Sequence, residues 1–265
     1  MILHYKFYQS GKPVLVLVHG LLSSLETFEA LVPELQKHFD LLLVDQRGHG
    51  KSPAEGEDYT VDRMARDLKD LLDSLKLNKV ILLGHSMGGR TVLRFGELYP
   101  DMVEKLIVED MGIHQRQEQS PERDLEKSAI AKKAHVSSLL FKSKNDIYSV
   151  ISPLYSYAKE LLNTKVIEHG PDKFELMFWP DVSVHYGYQG NITDLTSALT
   201  RTTFPVLFVV ADPAMGSAMS KKCIEHIKKY VPRAHFHFIP ESWHNIHKSR
   251  PREFCEAVIE FAKNN

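Results

Sequence analysis

Short runs of branched apolar residues alternate along most of this chain with stretches whose apolar residues recur three and four apart, and that rhythm predicts its elements. Ile2 to Tyr8 alternates as a half-buried edge strand, whereas Pro13-Val-Leu-Val-Leu-Val18 is continuous enough to be central, the two joined by a turn containing Gly11. Phe28, Leu31 and Leu35 give a helix over Thr27 to His38, and Leu41-Leu-Leu-Val44 is the next strand. Thr60 caps a helix that gathers Val61, Met64, Ala65, Leu68, Leu71, Leu72 and Leu75 on one face. Val80 to Leu83 reads as a strand buried on both faces, and the helix after it runs to Tyr99, where Pro100 stops it. Lys105 to Asp110 is a strand that ends on a carboxylate. Further strands follow at Pro205 to Val210 and Ala234 to Ile239, then a helix with Phe254, Ala257, Val258 and Phe261 inward. Such alternation predicts an α/β fold around a mostly parallel sheet with right-handed crossovers.

Between about Gly112 and Thr203 the rhythm changes. Charged helical stretches, Glu122 to His135 and Ile147 to Leu162, mix with Tyr155, Tyr157, Phe174, Phe178, Trp179, Tyr186 and Tyr188. The expected organisation is a core of residues 1–111 and 204–265 interrupted by a helical cap over 112–203, without an independent second domain. Such an aromatic set is more often packing than ligand contact, but a cap must cover something.

Composition narrows the function. The 265 residues are 43% hydrophobic and 25% charged, ordinary for a soluble globular chain. A formal charge of −1 with both signs interspersed disfavours nucleic acid. No apolar run approaches the ~18 residues of a membrane span, and the N-terminus lacks the pattern of a signal peptide, so a cytoplasmic location is expected. Cys223 and Cys255 are expected to be buried thiols.

The chemistry concentrates where the strand Val80 to Leu83 empties into Gly84-His85-Ser86-Met87-Gly88-Gly89. A serine at a tight strand-to-helix turn has its hydroxyl forced out above the sheet edge, and the helix start offers unpaired N–H groups to an oxyanion. The earlier strand ends in His19-Gly20-Leu21-Leu22, which makes the Leu21 N–H a natural second oxyanion donor if both strand ends share an edge. Asp45 and His49 lie in a Gly-rich loop and read as scaffolding, and Lys51-Ser52 lacks the glycine spacing of a phosphate loop. The pairs His235/His237 and His244/His247 lack a matching carboxylate motif, so no metal is expected.

Four stretches in this order, Val-His19-Gly20, Asp45-Gln-Arg-Gly-His-Gly50, Gly84 to Gly89, and His244-x-x-His247 before Pro251, resemble the α/β-hydrolase fold family over essentially the whole chain. The compact esterases with a Gly-His-Ser-Met-Gly-Gly elbow are the most similar members. The resemblance implies Ser86 as nucleophile, His244 as general base and then acid, and the Leu21 and Met87 N–H groups as oxyanion hole. The acid stays open. Most relatives carry it in a Gly-x-x-Asp loop whose matching position here is Ala214; Asp212 lies two residues earlier, and Asp110 is the alternative that some family members use. Asp110 is favoured because it ends a strand of good register, with Glu109 pointing to the opposite side. Trp243 stands where relatives usually have glycine.

The implied activity is hydrolysis of a small-molecule carboxylic ester, thioester or lactone through an acyl-enzyme, without cofactor or metal, by a monomer or homodimer. Carbon–carbon bond hydrolysis or a small lyase step on the same scaffold, and a ligand-binding protein with a vestigial site, are the competing readings.

Overall fold

The computed structural model describes residues 1–54, 56, 58–114, 136, 138–180, 182, 186, 193–231 and 233–264. Among them the strands are β1 (Tyr5–Tyr8), β2 (Val14–Val18), β3 (Asp40–Val44), β4 (Val80–His85), β5 (Val103–Glu109), β6 (Leu140–Phe141), β7 (Val166–Gly170), β8 (Lys173–Leu176), β9 (Val206–Val210) and β10 (Ala234–Phe238). One seven-stranded sheet has the order β1-β3-β2-β4-β5-β9-β10. It is parallel except for β1, which pairs antiparallel with β3 rather than with β2, its neighbour in sequence.

The apolar runs are continuous because each central strand feeds two layers, with successive side chains going to opposite faces. Val16, Val18, Leu82 and Val108 pack with Leu68 and Leu72 of α2 (Val61–Ser74) and with Val92 and Phe95 of α3 (Met87–Leu98). Leu17, Leu43, Leu83 and Ile107 pack on the other face with Phe28, Phe254 and Val258. No described helix is long and apolar enough to cross a membrane.

The helix expected over Thr27 to His38 is instead a 3-10 helix, Leu25–Leu31, leading into one α-turn, Val32–Leu35. Pro33 has no N–H to give the Glu29 carbonyl, and the Val32 N–H takes that carbonyl in a tighter bond. The insertion between β5 and β9 also departs from the expected helical cap by adding strands. Val166 to Gly170 and Lys173 to Leu176 form a hairpin that, with β6, makes a three-stranded antiparallel sheet in the order β6-β8-β7. The stretch expected to be helical from Ile147 to Leu162 is two helices, Lys144–Ile151 and Ala158–Thr164, on either side of Pro153. Glu122 to His135 and Tyr188 lie outside the described residues.

Apolar packing and hydrogen bonds both seat the insertion on the core. Leu22 packs among Ile147, Ile151 and Phe178. Arg90, buried on α3, donates to the carbonyls of Gly112 and His114 where the insertion begins and of Thr193 near its end.

The Thr60 hydroxyl accepts the Arg63 N–H at 3.2 Å, capping α2. Thr60→Ala is expected to lower stability by about 1 kcal/mol in urea unfolding, the usual worth of such a cap; an unchanged midpoint would show that the cap is idle.

Candidate active site

Strands β2, β4 and β5 end together: Val18 pairs with Gly84, and His85 with Glu109. Ser86 therefore leaves β4 beside the residue that leaves β5. Its backbone sits at φ 52°, ψ −116°, a strained region for a residue with a side chain, and its N–H is tied to the Glu109 carbonyl at 3.1 Å. Two glycines make the turn possible. A Cβ on Gly84 would lie 2.2 Å from the Gly88 carbonyl oxygen, and one on Gly88 would lie 2.1 Å from that of Val18.

The loop after β2 is fixed from behind by His19. The Gln46 N–H donates to its Nε2 at 3.0 Å, so Nδ1 carries the proton and donates to the Gly20 carbonyl at 2.7 Å. Burial, followed by the neighbouring His49, holds His19 well below its usual pKa, which fits this neutral tautomer. In a trans peptide the C=O and N–H point opposite ways, so binding the Gly20 carbonyl to His19 turns the Leu21 N–H away from it. Gly20 lies so close to the elbow that a Cβ there would sit 3.2 Å from the Ser86 Cβ. Met87 opens α3, where its N–H has no intrahelical acceptor.

His244 lies in the loop before α8 (Ile246–Ser249), and its Nδ1 is 2.8 Å from Asp110 Oδ2. Asp110 is fully buried, yet its carboxyl is held below the ordinary range. Burial raises it, but hydrogen bonds from His244, the Ser217 hydroxyl and the N–H groups of Ala218 and Ala211 outweigh that. Asp212 is placed otherwise: its carboxylate accepts the N–H groups of Ala214 and Glu241, each at 2.9 Å. The His244 ring packs on His85 at 4.8 Å between centroids, next to Ser86 in the chain. Ser86 and His244 are both partly exposed and are not hydrogen-bonded to each other. Such bonds are often long without substrate and tighten only in the reacting complex.

A second acid–histidine pair stands behind the first, unforeseen from the sequence. Glu109 does point away from Asp110, and there its buried carboxylate accepts both the N–H and Nδ1 of His247 at 2.9 Å. His247 Nε2 lies 2.8 Å from the Thr27 hydroxyl. His85 Nε2 reaches the His244 carbonyl at 3.1 Å, and burial lowers the His85 pKa to about 3, so the ring is a neutral donor. His85, Glu109 and His247 bring ligand-type atoms within 4.8 Å of one another, but each of these side chains is already hydrogen-bonded as described. The available signal was the three-residue spacing of His247 from His244, together with the two adjacent carboxylates that end β5. Asp45 and His49 sit in the scaffold: Asp45, buried, accepts the N–H groups of Leu25 and Lys51. His235 and His237 are exposed on β10.

A family model described as the alpha/beta hydrolase fold matches residues 13–251. A putative esterase/lipase of Haemophilus influenzae is 38% identical over 115 residues, 42% of this chain and 40% of that protein. An sn-1-specific diacylglycerol lipase of Mus musculus is 28% identical over 267 residues, covering 94% of this chain and 80% of that one. Among solved structures, a marine microorganism esterase superposes with a TM-score of 0.77 at 27% identity, over 98% of this chain and 99% of that one.

Glu109 and Asp110 both have folded pKa values below their ordinary ones, so each stabilises the fold fully above the unfolded value and loses that contribution as pH falls through the folded one. Urea midpoints are expected to drop below about pH 4, and less steeply in Asp110→Asn. Glu109→Leu leaves two His247 donors without an acceptor and is expected to cost about 2–3 kcal/mol at pH 7; a loss under about 0.5 kcal/mol would mean the buried pair contributes little.

Proposed function

The chain belongs to the α/β-hydrolase family, and we propose that it hydrolyses a carboxylic ester, or a thioester or lactone, through an acyl-enzyme on Ser86. The observation that carries this reading is the hydrogen bond between Asp110 and His244 Nδ1 at the sheet edge where Ser86 leaves β4. An imidazole whose Nδ1–H donates a hydrogen bond to a carboxylate keeps the lone pair on Nε2, the state a general base needs.

In the proposed reaction Ser86 Oγ attacks the carbonyl carbon while His244 Nε2 takes its proton, and Asp110 stabilises the imidazolium. The negative charge moves to the carbonyl oxygen, held by the Leu21 and Met87 N–H groups, each such donor worth about 10² to 10³ in kcat. His244 then returns the proton to the leaving alkoxide or thiolate. Water, deprotonated by the same imidazole, attacks the acyl-enzyme, and Ser86 recovers its proton as the acid departs. The insertion acts as the cap: Leu22, next to the oxyanion donor, packs in its apolar cluster. The esterase and lipase names of the relatives favour ester over carbon–carbon cleavage.

On a p-nitrophenyl ester series from acetate to long chains, Ser86→Ala is expected to cost about 10⁶ in kcat and Asp110→Asn about 10⁴, while Asp212→Asn stays within a few-fold. A fluorophosphonate should label the parent and not Ser86→Ala. Loss under tenfold in Ser86→Ala would sink the nucleophile assignment, and a larger loss in Asp212→Asn than in Asp110→Asn would move the acid.

A further inference from the structure

His244 is attached to the sheet edge at two points. Asp110 holds its ring through Nδ1 at 2.8 Å, and His85 Nε2 holds its backbone carbonyl at 3.1 Å. The first bond sets the tautomer but leaves the imidazole free to tilt about the contact, whereas the second fixes the peptide from which the side chain hangs. His85 is the last residue of β4 and directly precedes Ser86, so the second attachment ties the base to the nucleophile's own turn.

The His85 ring has little freedom of its own. It is 4% exposed, stacks obliquely on His244 at 4.8 Å between centroids and meets His247 edge-on at 5.0 Å. On the side of the oxyanion loop, a Cβ on Gly20 would come 2.7 Å from its Nδ1. His247 is fixed in turn by Glu109 at Nδ1 and by the Thr27 hydroxyl at Nε2, with the Phe28 ring 4.9 Å away. Glu109 serves both loops, because its carbonyl takes the Ser86 N–H at 3.1 Å while its carboxylate takes His247. A buried imidazole that only filled space would have no reason to give its donor to the one carbonyl that belongs to the general base. The bond between Ser86 and His244 has to form in the reacting complex, and the range over which His244 can wander decides how often it does.

We propose that His85 is a positioning residue for the reaction at Ser86: by donating to the His244 carbonyl it keeps the general base within reach of the nucleophile, while the Glu109–His247 pair fixes its ring from behind. The inference rests on the Ser86 reading and deepens it. No proton-transfer step is added, since His85 remains a hydrogen-bond donor throughout.

The test uses the full chain and p-nitrophenyl acetate, whose acyl group is too small to reach far from the bond cleaved. His85→Leu removes the donor from a side chain of similar bulk, and His85→Gln puts an amide N–H about where Nε2 stood. His85→Leu is expected to lower kcat about 10²-fold, the scale of a misplacement of about 1 Å, with little change in KM, and His85→Gln to recover most of that loss. Phosphonylation of Ser86 by a fluorophosphonate, which uses the same serine and imidazole, should slow in parallel with kcat. In a Ser86→Ala background, where the pair no longer exists, His85→Leu should leave the residual rate unchanged, as expected of residues that act as a unit; a purely structural defect would lower it further. If His85→Leu fails to fold, Thr27→Val, which removes the hydroxyl from His247 and leaves the elbow untouched, should show a smaller loss of kcat at constant KM, and an unchanged kcat there counts against the proposal. Parent-like kcat in His85→Leu, a loss seen in KM instead, a further drop in the Ser86→Ala background, or a loss in His85→Gln as large as in His85→Leu overturns the positioning role and leaves the serine reading intact. A parent that neither turns over an ester nor takes the fluorophosphonate overturns the serine reading itself.

Discussion

The parallel register of β4 on β5 is the constraint from which the site follows. With His85 opposite Glu109, the next residue on β4 is Ser86 and the next on β5 is Asp110. Because successive side chains leave a strand in opposite directions, Glu109 and Asp110 are aimed at different partners. One takes His247 and the other His244, so two adjacent carboxylates hold both ends of the same short turn of chain. His85, between them, ties down the carbonyl of His244. A slip of one residue would exchange these faces and undo all three attachments together.

Backbone strain collects around this junction. Of the non-glycine residues with positive φ, Leu22, Ser86, Asp110 and Glu241 lie in the loops that build the site, and Lys76 lies elsewhere. Each strained turn at the heart of the site is held by a specific bond: Ser86 N–H to the Glu109 carbonyl, Asp110 N–H to the Val209 carbonyl at 2.8 Å, and Glu241 N–H to Asp212. Asp212 thus supports the start of the loop that presents His244. Strain of this kind, about 1–3 kcal/mol at each such residue, persists where the surroundings over-determine the conformation.

Electrostatics then divide the enclosed groups of the site into neutral rings and paired carboxylates. His19, His49 and His85 are fully enclosed, and burial keeps all three neutral, so they act as fixed donors and acceptors. Charge is carried instead by Asp110 and Glu109, whose carboxylates are committed to His244 and His247.

Much was legible in the chain itself because the signals were local. The branched apolar run before Ser86 and the glycines that flank the serine favour a short strand buried on both faces that ends in a tight turn, and both signals are local. Pro33 and Pro153 were visible too, but their effect on helices with good apolar spacing depended on which carbonyls lost a donor. The position of β1 against β3, the mixed make-up of the insertion, and the pairing of Asp110 rather than Asp212 with His244 were decided only in three dimensions. Each joins residues distant in sequence, and partners of that kind are chosen by sheet register and by loops folding back over it, which no spacing along the chain encodes.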